Sequence, residues 1–342
     1  MEAYTKSLRT ISLQNIQEVG SKNAFLGEIF THVKLKGIRV PEGFAITATA
    51  YKHFIEYNKL DGVHAALMKK AKHDKRFTIK QIGEKARALI MGARMPGNLY
   101  DAIIAAYHDL NADPNLEVAV RSSPIYPDLF NITEKDQHET ILNVRGEKAL
   151  IASVKECFAS LYSDEALRAG VHNDAERAIS VCVQKMIRAD KACSGFAYTA
   201  DPVSGFIDVI HVSGVWGLGE KMLEERITPD QFIIYKPLFS LGKKAIIQKK
   251  LGSKSRMLIY KEESNGVKVT EILSPADLRE KFILSDDEIL IIANWGMVLE
   301  SYYNSTMSME WAKDGYSQDL YLLQAKPKNF KQDSVLKEYD DI

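Results

Sequence analysis

The sequence predicts an α+β protein of two lobes, the first helix-rich and the second β-rich, and three observations carry that prediction. Its 342 residues suit two domains at roughly 150 residues apiece. Apolar residues in the first third recur at the spacing of a helix face. In the second half they fall instead into short β-branched runs cut by turn residues.

In chain order, Phe25, Leu26, Ile29, Phe30 and Val33 form one helical stripe from Ser21 onward, and Gly37 supplies a stop. "RVPEGFAITATAYKHFIEYN" turns at Pro41 to Gly43, gives a short strand and enters an amphipathic helix. Helical patterns continue through "DGVHAALMKKAK", "IKQIGEKARALIMGA" and "GNLYDAIIAAYHDLN". "LEVAVRSS" is the first buried strand, "GEKALIASVKECFASLYS" a long helix, and "AISVCVQKMI" a central strand by its β-branched run. Short strands follow in "SGFAYTAD", "FIDVIHVSGVWG", "QFIIYKP", "KAIIQKK" and "RMLIYKEESNGVKVTEI", the last a hairpin turning at Asn265-Gly266. Ser285 and Glu288 form a capping-box pattern ahead of "EILIIANWGMVLESYYN", with acidic residues in the first turn. "MSMEWAKDGYSQDLYLLQAKP" reads as two strands around a loop. Helical texture gives way to strands at a hinge near Ile187 to Ser194. The expected organisation is therefore a first lobe at 1–190, a second at 191–330 and a tail at 331–342.

Composition sets the class. With 46% hydrophobic and 26% charged residues, and 45 basic side chains against 45 acidic, no global field draws nucleic acid or an anionic membrane. Three cysteines without C-x-x-C spacing argue against a disulfide framework or a cysteine-built zinc site. The polar N-terminus lacks the apolar core of a signal peptide, and no run reaches the roughly eighteen apolar residues of a span. The expectation is a soluble cytoplasmic chain.

Several residues are candidates for chemistry. Lys22 follows Gly20 at a helix start, where free N–H groups favour an anion; it is either a mobile charge for that anion or a solvated lysine beside a cap. Arg121 ends a strand, where a guanidinium can grip phosphate oxygens or simply face solvent. In "VCVQKM", the Gln184 amide and its flanking backbone can pair with an adenine edge and Met186 can pack on its face, or Gln184 can be a satisfied core amide. "WGLGE" is a Gly-x-Gly turn carrying Glu220, a weak nucleotide signal by itself. A five-residue loop from Gly315 to Asp319 would set Glu310 opposite Gln324, with Gln324 and Lys326 on one face. A carboxylate and an amide oxygen suit Mg²⁺ carrying phosphates; the same pair can also be an ordinary polar pair facing solvent.

The succession "VGSKNAFLGE", "PEGFAITATAY", "VAVRSS", "QHETILNV", "VQKM", "SGFAYTAD", "GLGE", "PDQF", "MEWAKD" and "LLQAKP" resembles the ATP-binding domain of the phosphoenolpyruvate synthase and pyruvate phosphate dikinase family, with rifampicin phosphotransferase a broader relative. The likeness runs from about residue 10 to 330. It implies an ATP-grasp fold whose two lobes hold ATP. It also implies transfer of a phosphoryl or pyrophosphoryl group to a histidine on a swivelling domain, which carries it to a pyruvate-type acceptor domain. By the same resemblance Lys22 and Arg121 are phosphate ligands and transition-state stabilisers, and Thr140 is a phosphate-side contact. Gln184, with Lys185 and Met186 beside it, lies on the adenine side, Glu220 lies near the nucleotide, and Glu310, Gln324 and Lys326 hold Mg²⁺ and the phosphate tail.

Two departures from the family pattern bear on ATP. Asp136 stands where the family has a glycine, and Lys326 where it has an arginine; Tyr302 and Ser308 replace histidine and aspartate. A carboxylate about 4 Å from a phosphate charge costs about 4 kcal/mol at an effective dielectric near 20, roughly a thousandfold in affinity. Weakened or metal-dependent ATP binding is therefore expected. None of the eight histidines sits in a Thr-Ser-His-like transfer motif, so the phosphorylated histidine and the acceptor are expected in a partner or a longer chain. The alternative is a degenerate, non-catalytic nucleotide-binding or scaffolding module.

Overall fold

A computed structural model of the chain describes residues 3–33, 37–62, 78–111, 113–125, 139–168, 178–219, 227–263 and 266–328. The chain divides into two compact units, Met1–Thr31 with Glu42–Met186, and His32–Pro41 with Ile187–Ile342. Helices and antiparallel sheets are present in both, which makes the class α+β.

The first unit is organised by a five-stranded sheet in the order β1 (Thr5–Ser7), β2 (Gly43–Ile46), β5 (Ala178–Lys185), β3 (Glu117–Ile125), β4 (Thr140–Arg145). Side chains alternate across a strand, so each strand divides its residues between two faces. Phe44, Ile46, Val118, Val120, Val144, Ile179, Val181 and Val183 enter one core with residues of α2 (Ala48–Tyr57), α3 (Ile79–Gly92), α4 (Gly97–Leu110) and α5 (Gly146–Ala159). Each such side chain contributes about 1.5–3 kcal/mol on burial. The intervening residues Ala119, Arg121, Ser123, Ser180, Cys182 and Gln184 occupy the other face, which packs against α1 (Ile16–Glu28). Asn23 of α1 donates its side-chain amide to the Ser180 hydroxyl at 2.9 Å.

Helix α1 is regular only beyond Gly20, whose φ of 76° breaks it from a preceding turn, and it runs into a π-helical stretch, Ile29–Val33. The helical pattern in "DGVHAALMKKAK" falls almost wholly outside the described residues.

The second unit carries a six-stranded antiparallel sheet in the order β13 (Leu320–Pro327), β12 (Met307–Lys313), β6 (Cys193–Tyr198), β7 (Val209–Trp216), β8 (Asp230–Tyr235), β9 (Ile246–Lys250). A separate hairpin pairs β10 (Arg256–Glu263) with β11 (Gly266–Leu273) up to Glu263 opposite Gly266, so Gly266 is a strand residue rather than part of the expected Asn265-Gly266 turn, and Asn265 lies outside the described residues. One face of the six-stranded sheet packs on α6 (Asp286–Tyr303), where Gly296 lies close to Ile210 and Met309. The capping box forms as expected: the Ser285 hydroxyl accepts from the Glu288 N–H, and the Glu288 carboxylate accepts from the Ser285 N–H at 2.9 Å. The sequence reading assigned His32–Pro41 to the first lobe, yet this segment is bound into the second unit. Leu322 donates its N–H to the Arg39 carbonyl at 2.8 Å, Arg39 pairs with Asp319, and the Trp295 indole donates to the Gly37 carbonyl at 3.2 Å.

At the start of β8, Asp230 is wholly buried and accepts from the Gly252 N–H at 2.7 Å, the Ile283 N–H at 2.9 Å and the equally buried Lys254 ammonium. Asp230→Ala leaves two N–H groups without an acceptor and the buried ammonium without its counter-ion, only the Gly252 carbonyl at 3.0 Å still accepting from it among the described residues. It should lower stability by about 3–5 kcal/mol, measured in urea as a lower midpoint. The double variant Asp230→Ala, Lys254→Met should regain much of the loss.

Candidate functional site

In the first unit, strand register brings several predicted residues into one cluster. Arg121 pairs with Cys182 across β3 and β5 and with Thr140 across β3 and β4, while Gln184 lies opposite both Ala119 and Gly43. Thr140, Arg121 and Cys182 therefore form a row, and Gln184 sits one period further along the same face. Helix α1 reaches this face because Gly20 has no side chain. A Cβ there would run into the Ser123 hydroxyl and carbonyl and come within 3.1 Å of the Pro124 carbonyl. Lys22 follows two residues later, half-buried.

Both cations act on the same buried thiol. Burial pushes the Cys182 thiol up to about 12, while the charges of Arg121 and Lys22 act on it in the opposite sense. The Nε of Arg121 and the Oγ of Ser123 are buried without a hydrogen-bond partner among the described residues. Unmet buried polar groups of this kind cost about 1–3 kcal/mol each, and an anionic oxygen is the group that would satisfy an arginine N–H.

Gln184 is 2% exposed. The Lys185 ammonium is paired with Glu42 at 2.9 Å, and Glu42 also pairs with Arg9. The hydrogen bond from Lys185 holds the Glu42 carboxyl below its ordinary range, against the effect of burial. The backbone N–H of Lys185 is bonded to the Glu42 carbonyl at 2.8 Å, and that of Met186 to the Glu117 carbonyl at 2.9 Å. Asp136 and Glu220 lie outside the described residues.

In the second unit, the β12–β13 hairpin pairs Glu310 with Gln324 and Ser308 with Lys326 as expected, but by another route: Lys313 lies opposite Leu320, so the loop is the six residues Asp314 to Asp319 rather than five, and a bulge between Glu310 and Trp311 offsets the extra residue. Its turn is anchored. The Asp314 carboxylate accepts from the N–H groups of Tyr316, Ser317 and Arg188 at 2.8, 2.9 and 3.0 Å. The Arg188 guanidinium is gripped by both oxygens of Asp190 at 2.8 and 2.9 Å and lies over the rings of Tyr260 and Tyr316. Among the described residues, no group of three or more His, Cys, Asp or Glu side chains is arranged to hold a metal ion. One carboxylate and one amide oxygen fit Mg²⁺, which usually takes its remaining ligands from phosphates and water.

Sequence reasoning missed Cys182 and Ser123. Their signal is the i, i+2 pattern that puts them on the same face as Gln184 and Arg121, which becomes readable only once the strand pairing is known. A cavity of about 450 Å³ lined by Arg87, Glu139, Glu156 and Asp164 includes none of the predicted ligands.

Comparison with known proteins matches residues 16–341 to the family described as pyruvate phosphate dikinase, AMP/ATP-binding domain. The chain is 39% identical over 339 residues to the phosphoenolpyruvate synthase of Pseudomonas aeruginosa, covering 97% of this chain and 42% of the relative. It is 36% identical over 348 residues to that of Aquifex aeolicus, covering 97% and 40%, and 34% identical over 328 residues to that of Escherichia coli, covering 94% and 41%. The chain thus spans about two fifths of the length of these relatives.

Gly20→Ala should cost about 1–3 kcal/mol from the left-handed backbone alone, with a further loss from the collision at Ser123. Gly37→Ala shares the backbone strain, at φ 85°, but meets nothing within 4 Å. Thermal melts of the two variants should show the larger drop for Gly20→Ala.

Proposed function

The chain belongs to the pyruvate phosphate dikinase AMP/ATP-binding domain family, and on that premise we propose that it binds Mg-ATP and transfers a phosphoryl or pyrophosphoryl group from it to a histidine on a separate domain. That domain, and the pyruvate-type acceptor domain it serves, would belong to a longer chain or act in trans. The fold implied is ATP-grasp. The observation that carries this reading is the first unit's polar sheet face, where Lys22 and Arg121 act on one buried thiol and the Arg121 Nε has no hydrogen-bond partner among the described residues.

In this reading Lys22 and Arg121 take phosphate oxygens, and their charge stabilises the transferring group as negative charge spreads over it. Thr140 adds a hydroxyl on the phosphate side. Gln184, Lys185 and Met186 form the nucleoside side; with the Lys185 ammonium engaged by Glu42, Lys185 contributes through its backbone. Glu310 and Gln324 hold Mg²⁺, which neutralises phosphate charge when bound, and Lys326 adds a point charge beside them. Asp136 and Glu220 complete the proposed nucleotide contacts. Three free, buried cysteines accord with a cytoplasmic setting.

A second reading is favoured by one specific observation. Lys326 stands opposite Ser308 on the hairpin, a single ammonium where the family pattern has a two-pronged guanidinium and a carboxylate. On that reading the chain binds nucleotide without transferring from it.

Calorimetric titration with ATP and Mg²⁺ should give binding that weakens about 10- to 100-fold in Arg121→Ala and loses its magnesium dependence in Glu310→Gln. No heat at millimolar ATP, together with an unchanged melting temperature, would end the proposal. Labelled ATP supplied with the histidine domain of a relative separates the two readings: label on that domain excludes the non-catalytic one.

A further inference from the structure

The polar face of the first unit's sheet continues beyond Arg121. Along β3 the residues on this face are Ala119, Arg121 and Ser123, and across β5 they stand opposite Gln184, Cys182 and Ser180. Successive rows lie two residues, or about 7 Å, apart, which puts Ser123 about 13 Å along the strand from the row of Gln184. All three rows belong to one unit. With Gln184 on the nucleoside side and Lys22 and Arg121 on phosphate oxygens, as proposed above, the row of Ser123 lies at the far end of the phosphate tail.

Ser123 is 1% exposed, and its Oγ has no hydrogen-bond partner among the described residues. Across the row the Ser180 hydroxyl is engaged, accepting from the Asn23 amide at 2.9 Å. Space alone does not call for a hydroxyl at position 123. The approach of Gly20 needs a small residue there, and alanine would serve without burying an unmet polar group. The hydroxyl also stands at a helix end: it lies so close to Gly20 that a Cβ on that residue would come within 2.3 Å of Oγ. Beyond Gly20 helix α1 is regular, so Ser21, Lys22 and Asn23 form a first turn whose N–H groups and dipole favour an anion. One row back, the Arg121 Nε is also buried without a partner among the described residues. A hydroxyl and a guanidinium N–H can both donate, and a phosphate presents oxygens to take both at a helix N-terminus.

We propose that the Ser123 hydroxyl, at the first turn of α1, donates to an oxygen of the terminal phosphate and so makes the site select a nucleoside triphosphate over a monophosphate. This rests on the proposed function. A monophosphate carrying the same base occupies the row of Gln184 and ends short of Ser123. A triphosphate fills the length of the face and meets both unmet donors. The acceptor is charged, which makes the bond shorter and stronger than one between neutral groups.

The test is calorimetric titration of the full chain with Mg-ATP and with AMP. Ser123→Ala should weaken ATP binding about 10- to 100-fold and leave AMP binding unchanged. Ser123→Cys keeps the side chain's shape but offers only a weak donor, and it should lose as much. ATP binding by either variant at the wild-type affinity overturns the inference and leaves the proposed function standing. An equal loss for AMP places Ser123 away from the terminal phosphate and overturns it as well. Thermal melts without nucleotide give a readout independent of ATP. Ser123→Ala removes an unmet hydroxyl and should melt at or above the wild-type temperature. A lower temperature would show the hydroxyl bonded within the fold, which overturns the inference even if the chain binds no nucleotide.

Discussion

The close approach of α1 to β3 at Gly20 is the contact on which the first unit's polar cluster depends. Strand alternation alone would leave Arg121, Cys182 and Gln184 on a solvent face, where charges are screened and hydrogen bonds compete with water. A helix laid directly over that face excludes water and supplies Lys22 from the same segment. Only a residue without a Cβ, free to adopt a left-handed backbone, permits this approach. The same packing explains why the Cys182 thiol stays protonated despite two nearby cations: burial outweighs both.

The second unit fixes its polar residues by anchoring rather than by a covering helix. Glu310 and Gln324 sit on a hairpin whose turn is held by Asp314, and whose neighbouring segment is held by the Arg188–Asp190 pair between two aromatic rings. Bidentate ion pairs of this kind are directional, so they determine where the hairpin lies as well as how strongly it is held. The buried Asp230–Lys254 pair does the same for β8, since the acid also gathers two backbone N–H groups from separate segments.

What the sequence made legible was local. The capping box at Ser285 and the β-rich second half depend on spacings within a few residues and are present as read, whereas Glu310 meets Gln324 only because a bulge offsets a loop one residue longer than expected. The row of Thr140, Arg121 and Cys182 depends on β3 lying beside β5, a pairing of distant segments that no local periodicity encodes. Lys185 was readable as a cation but not as one engaged by Glu42, because Glu42 arrives from the turn before β2, far earlier in the chain.

The excursion of His32–Pro41 into the second unit has a topological consequence. The polypeptide passes from one unit to the other three times, after Thr31, after Pro41 and after Met186. Neither unit is a contiguous piece of sequence, and no single cleavage or gene truncation yields either one whole. A fragment ending at Met186 carries Gly37 and Arg39 without the Trp295 indole and the Leu322 N–H that bond them, and a fragment beginning at Ile187 lacks the strap that Arg39 provides. Recombination between relatives would have to exchange both pieces together, so the two units are constrained to be inherited as one.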